Sequence, residues 1–212
     1  MVEGIERALV LCEGPEDRRV VECLLEQIGA ENVEVEAFNG KDNLRSKLDE
    51  VKNSPEFAQG IYSKILVTRD ADADWSAAWQ SVRDAVEAKF DIRLEDVNQW
   101  GSINEDTQVA AWIFPGKEQT GMIETLCLEV ARDTQPEVFE CLDQYAACLR
   151  SKHQADLHHK ERFAIWTIAA QTFDAPRRRL SMGRILKNLT FDWSNEKFSE
   201  TRAILSGITS KP

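Results

Sequence analysis

Cysteine is scarce in this chain and its pattern excludes two architectures. There are five in 212 residues, an odd number, and no two have CxxC spacing, which argues against a disulfide framework and against a zinc ribbon. Cys12, Cys23 and Cys127 fall inside apolar patterns and are expected as small core residues. Histidine is scarcer still, with three residues. His158 and His159 are adjacent, hence on different faces of a helix, and make a poor pair of metal ligands. No apolar run approaches the roughly 18 residues that a membrane-spanning helix needs. Residues 1–7 are too acidic and too poor in apolar length for a signal peptide, so a cytoplasmic protein is expected. No G-x-x-x-x-G-K-[ST] phosphate loop occurs, so any ATPase working with this chain must be a partner.

What remains is an ordinary globular composition, 42% hydrophobic and 30% charged, long enough for one sizeable core with a small appendage. The charge is unevenly spread. The formal net charge is -11. Residues 150–212 carry twelve Lys/Arg against six Asp/Glu, a net +6, and residues 1–149 carry the balance of -17. An acidic N-terminal part and a basic C-terminal part suggest different tasks, the basic run Arg177, Arg178 and Arg179 with Arg184 and Lys187 being suited to phosphate. The same residues also suit the solvated faces of helices.

The N-terminal part alternates strand and helix signals. Residues 8–12 are a short continuous apolar run, as in strands buried on both faces. Glu13-Gly14-Pro15 ends it, and Val20, Val21, Leu24, Leu25 and Ile28 then recur at helical spacing. Residues 33–38 alternate, and Leu44, Leu48 and Val51 mark a second helix. Residues 65–68 form a third strand, 75–90 a helix, and 109–114 a fourth strand. Strands alternating with helices predict an α/β fold, Rossmann-like, with about four mostly parallel strands flanked by helices. Beyond Ile123 the strand signal fades, and residues 123–131, 136–150, 159–172, 180–189 and 196–206 read as helices. The expected organisation is an α/β core over 1–133 with a basic helical extension over 134–212 packed on it. Trp75, Trp79, Trp112 and Trp166 lie in apolar patterns and are expected in the core rather than stacking on bases.

Ligands of open parallel sheets bind beyond the carboxyl ends of the strands. Two apolar strands here end in acid, the first in Glu13 and the third in Asp70, with Asp72 and Asp74 following. Like charges gathered there are relieved by a hard divalent cation, and Mg²⁺ (or Mn²⁺) takes oxygen ligands. Asp74 alone reads as a loop acid. Asp17, four residues after Glu13, and Glu124 also suit helix starts on dipole grounds. Lys160 reads equally as a solvated lysine of a basic helix.

The segment Leu9-Val10-Leu11-Cys12-Glu13-Gly14 resembles the first motif of TOPRIM domains, an apolar strand ending in Glu-Gly. Ile65-Leu66-Val67-Thr68-Arg69-Asp70-Ala71-Asp72 resembles the second, a strand ending in Asp-x-Asp. The two in that order with a βαβ unit between them resemble the family over residues 8–133. A closer likeness is to small standalone TOPRIM proteins of uncharacterised function, related to the overcoming-lysogenisation-defect nucleases. Its marks are Gly121-Met122-Ile123-Glu124-Thr125-Leu126, a Lys followed six residues later by Trp (Lys160 and Trp166), and the ending Phe191-Asp192-Trp193 with Phe198 and Leu205.

The resemblance implies Mg²⁺ held by Glu13, Asp17, Asp70, Asp72 and Glu124, with Glu13, Asp70, Asp72 and Lys160 carrying phosphodiester cleavage of DNA or RNA. The alternative it implies is a metal-binding effector module that works only with a partner ATPase. The chain departs from the larger families. No Gly follows Asp-x-Asp as in the RNA-maturing nucleases, Tyr62 and Tyr145 lie in no topoisomerase context, and a primase's polymerase and zinc modules are missing. A haloacid-dehalogenase-like phosphatase places Asp-x-Asp after its first strand, whereas here it follows the third.

Overall fold

The computed structural model describes residues 6–174 and 191–209. Its centre is a five-stranded sheet in the order β2-β1-β3-β5-β4, built from β1 (Arg7–Cys12), β2 (Val33–Ala37), β3 (Tyr62–Asp70), β4 (Gly101–Ser102) and β5 (Gln108–Phe114). The four longer strands are parallel and β4 runs antiparallel to β5. The expected α/β architecture is therefore present, with one strand more than anticipated. β4 has two residues, too few for any periodicity to register. Side chains of β1, β3 and β5 are almost wholly buried, which is why these strands read as unbroken apolar runs.

The chain leaves β1 through α1 (Pro15–Gln27) toward β2 on one side. It then recrosses through α2 (Leu44–Lys52) and the single turn α3 (Pro55–Ala58) to β3 on the other. Right-handed crossovers in opposite directions place α1 on one face, and α2 on the other with α4 (Trp75–Phe90), against which it packs. The carboxyl ends of β1 and β3 flank the switch point, where such sheets open a crevice. After β5 come α5 (Ile123–Thr134), α6 (Pro136–His153) and α7 (His159–Asp174), packed on one another. The predicted terminal helix over 196–206 divides into a 3₁₀ turn, Glu196–Phe198, and α8 (Ser199–Thr209). The helix predicted over 180–189, with the basic residues Arg177, Arg178, Arg179, Arg184 and Lys187, lies outside the described residues.

One continuous apolar cluster runs from β1 to α8. Cys12, Cys23 and Cys127 are in it, as are Trp79, Trp112 and Trp166, while Trp75 packs against it partly buried. An aromatic set fastens α7 to the C-terminal segment: the Phe163 and Trp166 ring centroids lie 5.4 Å apart, Trp166 and Phe191 6.0 Å, and Phe191 and Trp193 4.6 Å. At the far end of the sheet from the acidic turns, buried Lys64 of β3 donates from Nζ to the Gly207 carbonyl of α8 at 2.5 Å and lies 5.0 Å from the Trp100 ring centroid. A cation at a helix C-terminus satisfies carbonyls that the helix leaves unpaired. A Cβ on Gly207 would stand 2.9 Å from Trp100 Nε1, so any larger residue would have to push the Trp100 ring aside. Among the described residues, no helix is long and apolar enough to cross a membrane.

Asp74 caps α4, its side chain accepting from Ala77 N at 3.0 Å. Asp74→Ala is expected to cost about 1 kcal/mol, the usual value of an N-cap acid, read as a lower urea midpoint. Any thermal response to divalent metal is expected to be the same as the parent's.

Candidate metal centre

Strand alternation sorts the residues at the switch point. Thr68 and Asp70 leave β3 on one face, and the Thr68 hydroxyl donates to the Leu11 carbonyl of β1 at 3.3 Å. Arg69 leaves β3 on the opposite face, where it meets Glu13. Gly14 then caps α1, Pro15 occupies its first turn, and Asp17 reaches back so that its Oδ2 accepts from Gly14 N at 2.6 Å. That bond turns Asp17 toward the end of β3. At α5, Asp70 Oδ1 accepts from Ile123 N at 3.0 Å, satisfying one of the helix's open amides and drawing Glu124 alongside.

Asp17, Asp70 and Glu124 consequently converge. One carboxylate oxygen from each lies within 4.8 Å of the other two, and the residues are only 7%, 7% and 3% exposed. Glu124 Oε2 is buried with no hydrogen-bond donor. Burial and then the neighbouring charges of Asp17 and Glu124 push the Asp70 carboxyl well above the ordinary range. Burial is also the largest cause of the upward shifts at Asp17, Glu124 and Glu13. Oxygen donors brought this close, short of compensating donors, fit a hard divalent cation.

Three further predicted residues stand around this triad. Asp72 is on the exposed rim. Its backbone, at φ 51°, forms an antiparallel bridge with Gly121, with Asp72 N to Gly121 O at 2.8 Å and Gly121 N to Asp72 O at 2.7 Å. Gly121 has φ 124°, and a Cβ there would lie 2.7 Å from Thr125 Oγ1. The bridge clips the turn after β3 to the approach of α5. Glu13 is half-buried, its Oε2 3.6 Å from Arg69 Nε. Lys160, in the first turn of α7, faces the acids: burial lowers its pKa, but Glu124, Asp70, Asp17 and Asp72 outweigh this and hold its ammonium above the ordinary value.

All six residues singled out in the sequence thus gather at one place, with the centre displaced. The buried triad is Asp17, Asp70 and Glu124, while Glu13 and Asp72 flank it. Asp74 faces away as a cap. Sequence reasoning passed over Arg69, although a charged residue inside a buried apolar strand was a visible signal.

Carboxyls raised by burial bind protons in the folded state that the unfolded chain has already released. In EDTA, the stability these four carboxyls contribute is therefore expected to be fully present below the ordinary carboxylate range and to be lost as pH rises through it toward the raised values. Thermal melts between about pH 5 and 8 in EDTA read this slope. Asp70→Asn keeps an acceptor for Ile123 N and removes one charge, so at neutral pH in EDTA it is expected to melt higher than the parent and to flatten the slope.

Neither the curated proteins nor the solved structures include a match to this chain. A family model described as a protein of unknown function, DUF3226, matches residues 7–208, almost the full length, and the chain belongs to that family.

Proposed function

We propose that this protein is a TOPRIM-type, Mg²⁺- or Mn²⁺-dependent nuclease that cleaves phosphodiester bonds in DNA or RNA. The observation that carries the reading is the buried triad Asp17, Asp70 and Glu124 at the sheet's switch point, with ligand oxygens within 4.8 Å of one another. The resemblance of the Glu13-Gly14 and Asp70-Ala71-Asp72 strand ends to TOPRIM motifs supports it. A divalent ion held by Asp17, Asp70 and Glu124 would supply polarisation of a phosphoryl oxygen and a lowered pKa for a nearby water. Glu13 and Asp72 stand where substrate approaches, and either carboxylate can accept a proton released by the attacking water. The water oxygen would bond to phosphorus as the P–O ester bond breaks, and the proton taken by Glu13 or Asp72 would pass to the leaving oxygen, which departs as a hydroxyl. Lys160, whose charge already faces the acids, neutralises the negative charge that builds on the phosphoryl oxygens.

A second reading, a metal-binding effector module that acts only with a partner ATPase, has one observation in its favour. Residues 1–149 carry a net -17, which opposes the approach of a polyanion. Autonomous binding of DNA or RNA at low salt with Ca²⁺ separates the two.

Mn²⁺ or Mg²⁺ at a hundredfold excess over Kd is expected to stabilise the fold by about 2.7 kcal/mol, or very roughly 5–10 °C in Tm for a chain of this size. Asp70→Asn and Glu124→Gln are expected to abolish that shift and, in plasmid-nicking and RNA-cleavage assays, the activity. Lys160→Ala is expected to keep the metal shift and to lose about 100-fold in rate. A mutant of Asp70 that responds to metal as strongly as the parent would remove the site.

A further inference from the structure

The Arg69 guanidinium is not accounted for by the fold. Its Nε and Nη1 are both shielded from water and neither makes a hydrogen bond. The acid nearest to it, Glu13, is no closer than 3.6 Å at Nε, and that Glu13 oxygen is itself buried without a partner. A guanidinium presents five donors that cannot be neutralised by losing a proton, so burying it underpaired is costly. An arginine serving only the fold would sit in a close fork on a carboxylate or on backbone carbonyls, as Arg202 does by donating from Nη1 to Trp193 O and Asn195 O, both at 2.8 Å. Arg69 has no such set. It lies one residue before Asp70 at the carboxyl end of β3, on the side where Glu13 leaves β1, and about a tenth of its side chain reaches solvent.

We propose that Arg69 is a substrate-binding residue, whose unused donors take an anionic phosphoryl oxygen of the polynucleotide on the Glu13 side of the metal centre. The inference rests on the nuclease reading and adds to it a second cation, on a different element from Lys160. A planar set of donors suits a phosphoryl group, and the unmade hydrogen bonds favour a small rotation of the guanidinium toward an arriving oxygen acceptor. Glu13 then has less claim on Arg69. The two cations approach the scissile group from opposite sides of the sheet end, Arg69 from the Glu13 face and Lys160 from the α5–α7 face. This explains how so acidic a site admits a polyanion.

The test measures two affinities on the full chain. Ca²⁺ binding is followed by titration calorimetry. Binding of a short fluorescent single-stranded DNA or RNA oligonucleotide is followed by anisotropy at low salt in saturating Ca²⁺. The proteins are the parent, Arg69→Gln, Arg69→Lys and Asp70→Asn, and melts in EDTA establish that each is folded. If Arg69→Gln does not fold, Arg69→Lys carries the comparison. The expected result is that the Arg69 variants bind Ca²⁺ within about threefold of the parent and bind oligonucleotide about tenfold more weakly. Arg69→Lys should recover only part of the loss, since it keeps the charge without the planar donors. Oligonucleotide affinity within about twofold of the parent overturns the proposal. So does a loss of Ca²⁺ affinity as large as the loss of oligonucleotide, which would make Arg69 a support for Glu13 alone. If the parent binds Ca²⁺ in an Asp70-dependent way but neither oligonucleotide, the Arg69 inference falls and the metal centre stands. If Asp70→Asn leaves Ca²⁺ binding intact, the metal centre falls with it.

Discussion

Three carboxylates are held out of water around the end of β3, and much of the surrounding structure is arranged to keep them there. Asp17, Asp70 and Glu124 repel one another and lose hydration together. Left to themselves they would turn outward. Backbone contacts prevent it at each one. Gly14 N fixes Asp17, Ile123 N fixes Asp70, and the two-bond bridge between Asp72 and Gly121 ties the turn carrying Asp70 to the helix carrying Glu124. Each of these amides belongs to a helix start or a turn, where backbone donors are left over by the local geometry. The same groups that finish the helices therefore aim the acids.

Such an arrangement destabilises the chain unless a cation relieves it, so the stability must come from elsewhere. It comes from strands buried on both faces and from the apolar cluster that runs unbroken into α8. This explains why the acids are gathered around the ends of β1 and β3, although only Asp70 is itself a strand residue. Strands deep in a doubly covered sheet are the elements least free to move, and a site attached to them keeps its geometry despite the repulsion.

The sheet was readable because its strands are buried on both sides: residues 8–12, 65–68 and 109–114 announce themselves by apolar continuity alone. Their ends were less readable. β3 extends from Tyr62 to Asp70, beyond the apolar run, because Lys64 is buried under α8 and Arg69 under Glu13. Those are tertiary reasons that no local pattern carries. β4 and the turn α3 are too short for periodicity, although Ser54, accepting from Phe57 N at 3.1 Å, and Pro55 explain the latter once seen. The site was legible as a set of acids at strand ends and helix starts. Its internal ranking was not. Asp72 looked central from the Asp-x-Asp spacing, but a left-handed backbone at that position carries its side chain to the rim. Asp17 and Glu124 looked like ordinary helix-start acids, and so they are, since the helix start is what points them inward.

The helices after α5 bear on the site directly, because α7 begins beside it. Lys160 feels Glu124, Asp70, Asp17 and Asp72, so the strand-end acids and their counter-charge come from segments far apart in the chain. What holds α7 in that position is mainly apolar, with Trp166 packed against the Phe191–Trp193–Phe198 set, helped by Trp166 Nε1 donating to Gln135 Oε1 at 3.0 Å and by Arg162 pairing with Asp143 at 3.2 Å. α8, which follows that set, is in turn fastened to β3 by Lys64 through Gly207. β3 thus carries Asp70 at one end and anchors the C-terminal segment at the other. The charge balance of the site is therefore set by two kinds of restraint, backbone hydrogen bonds that gather the negative charges and largely apolar packing that delivers Lys160 to meet them.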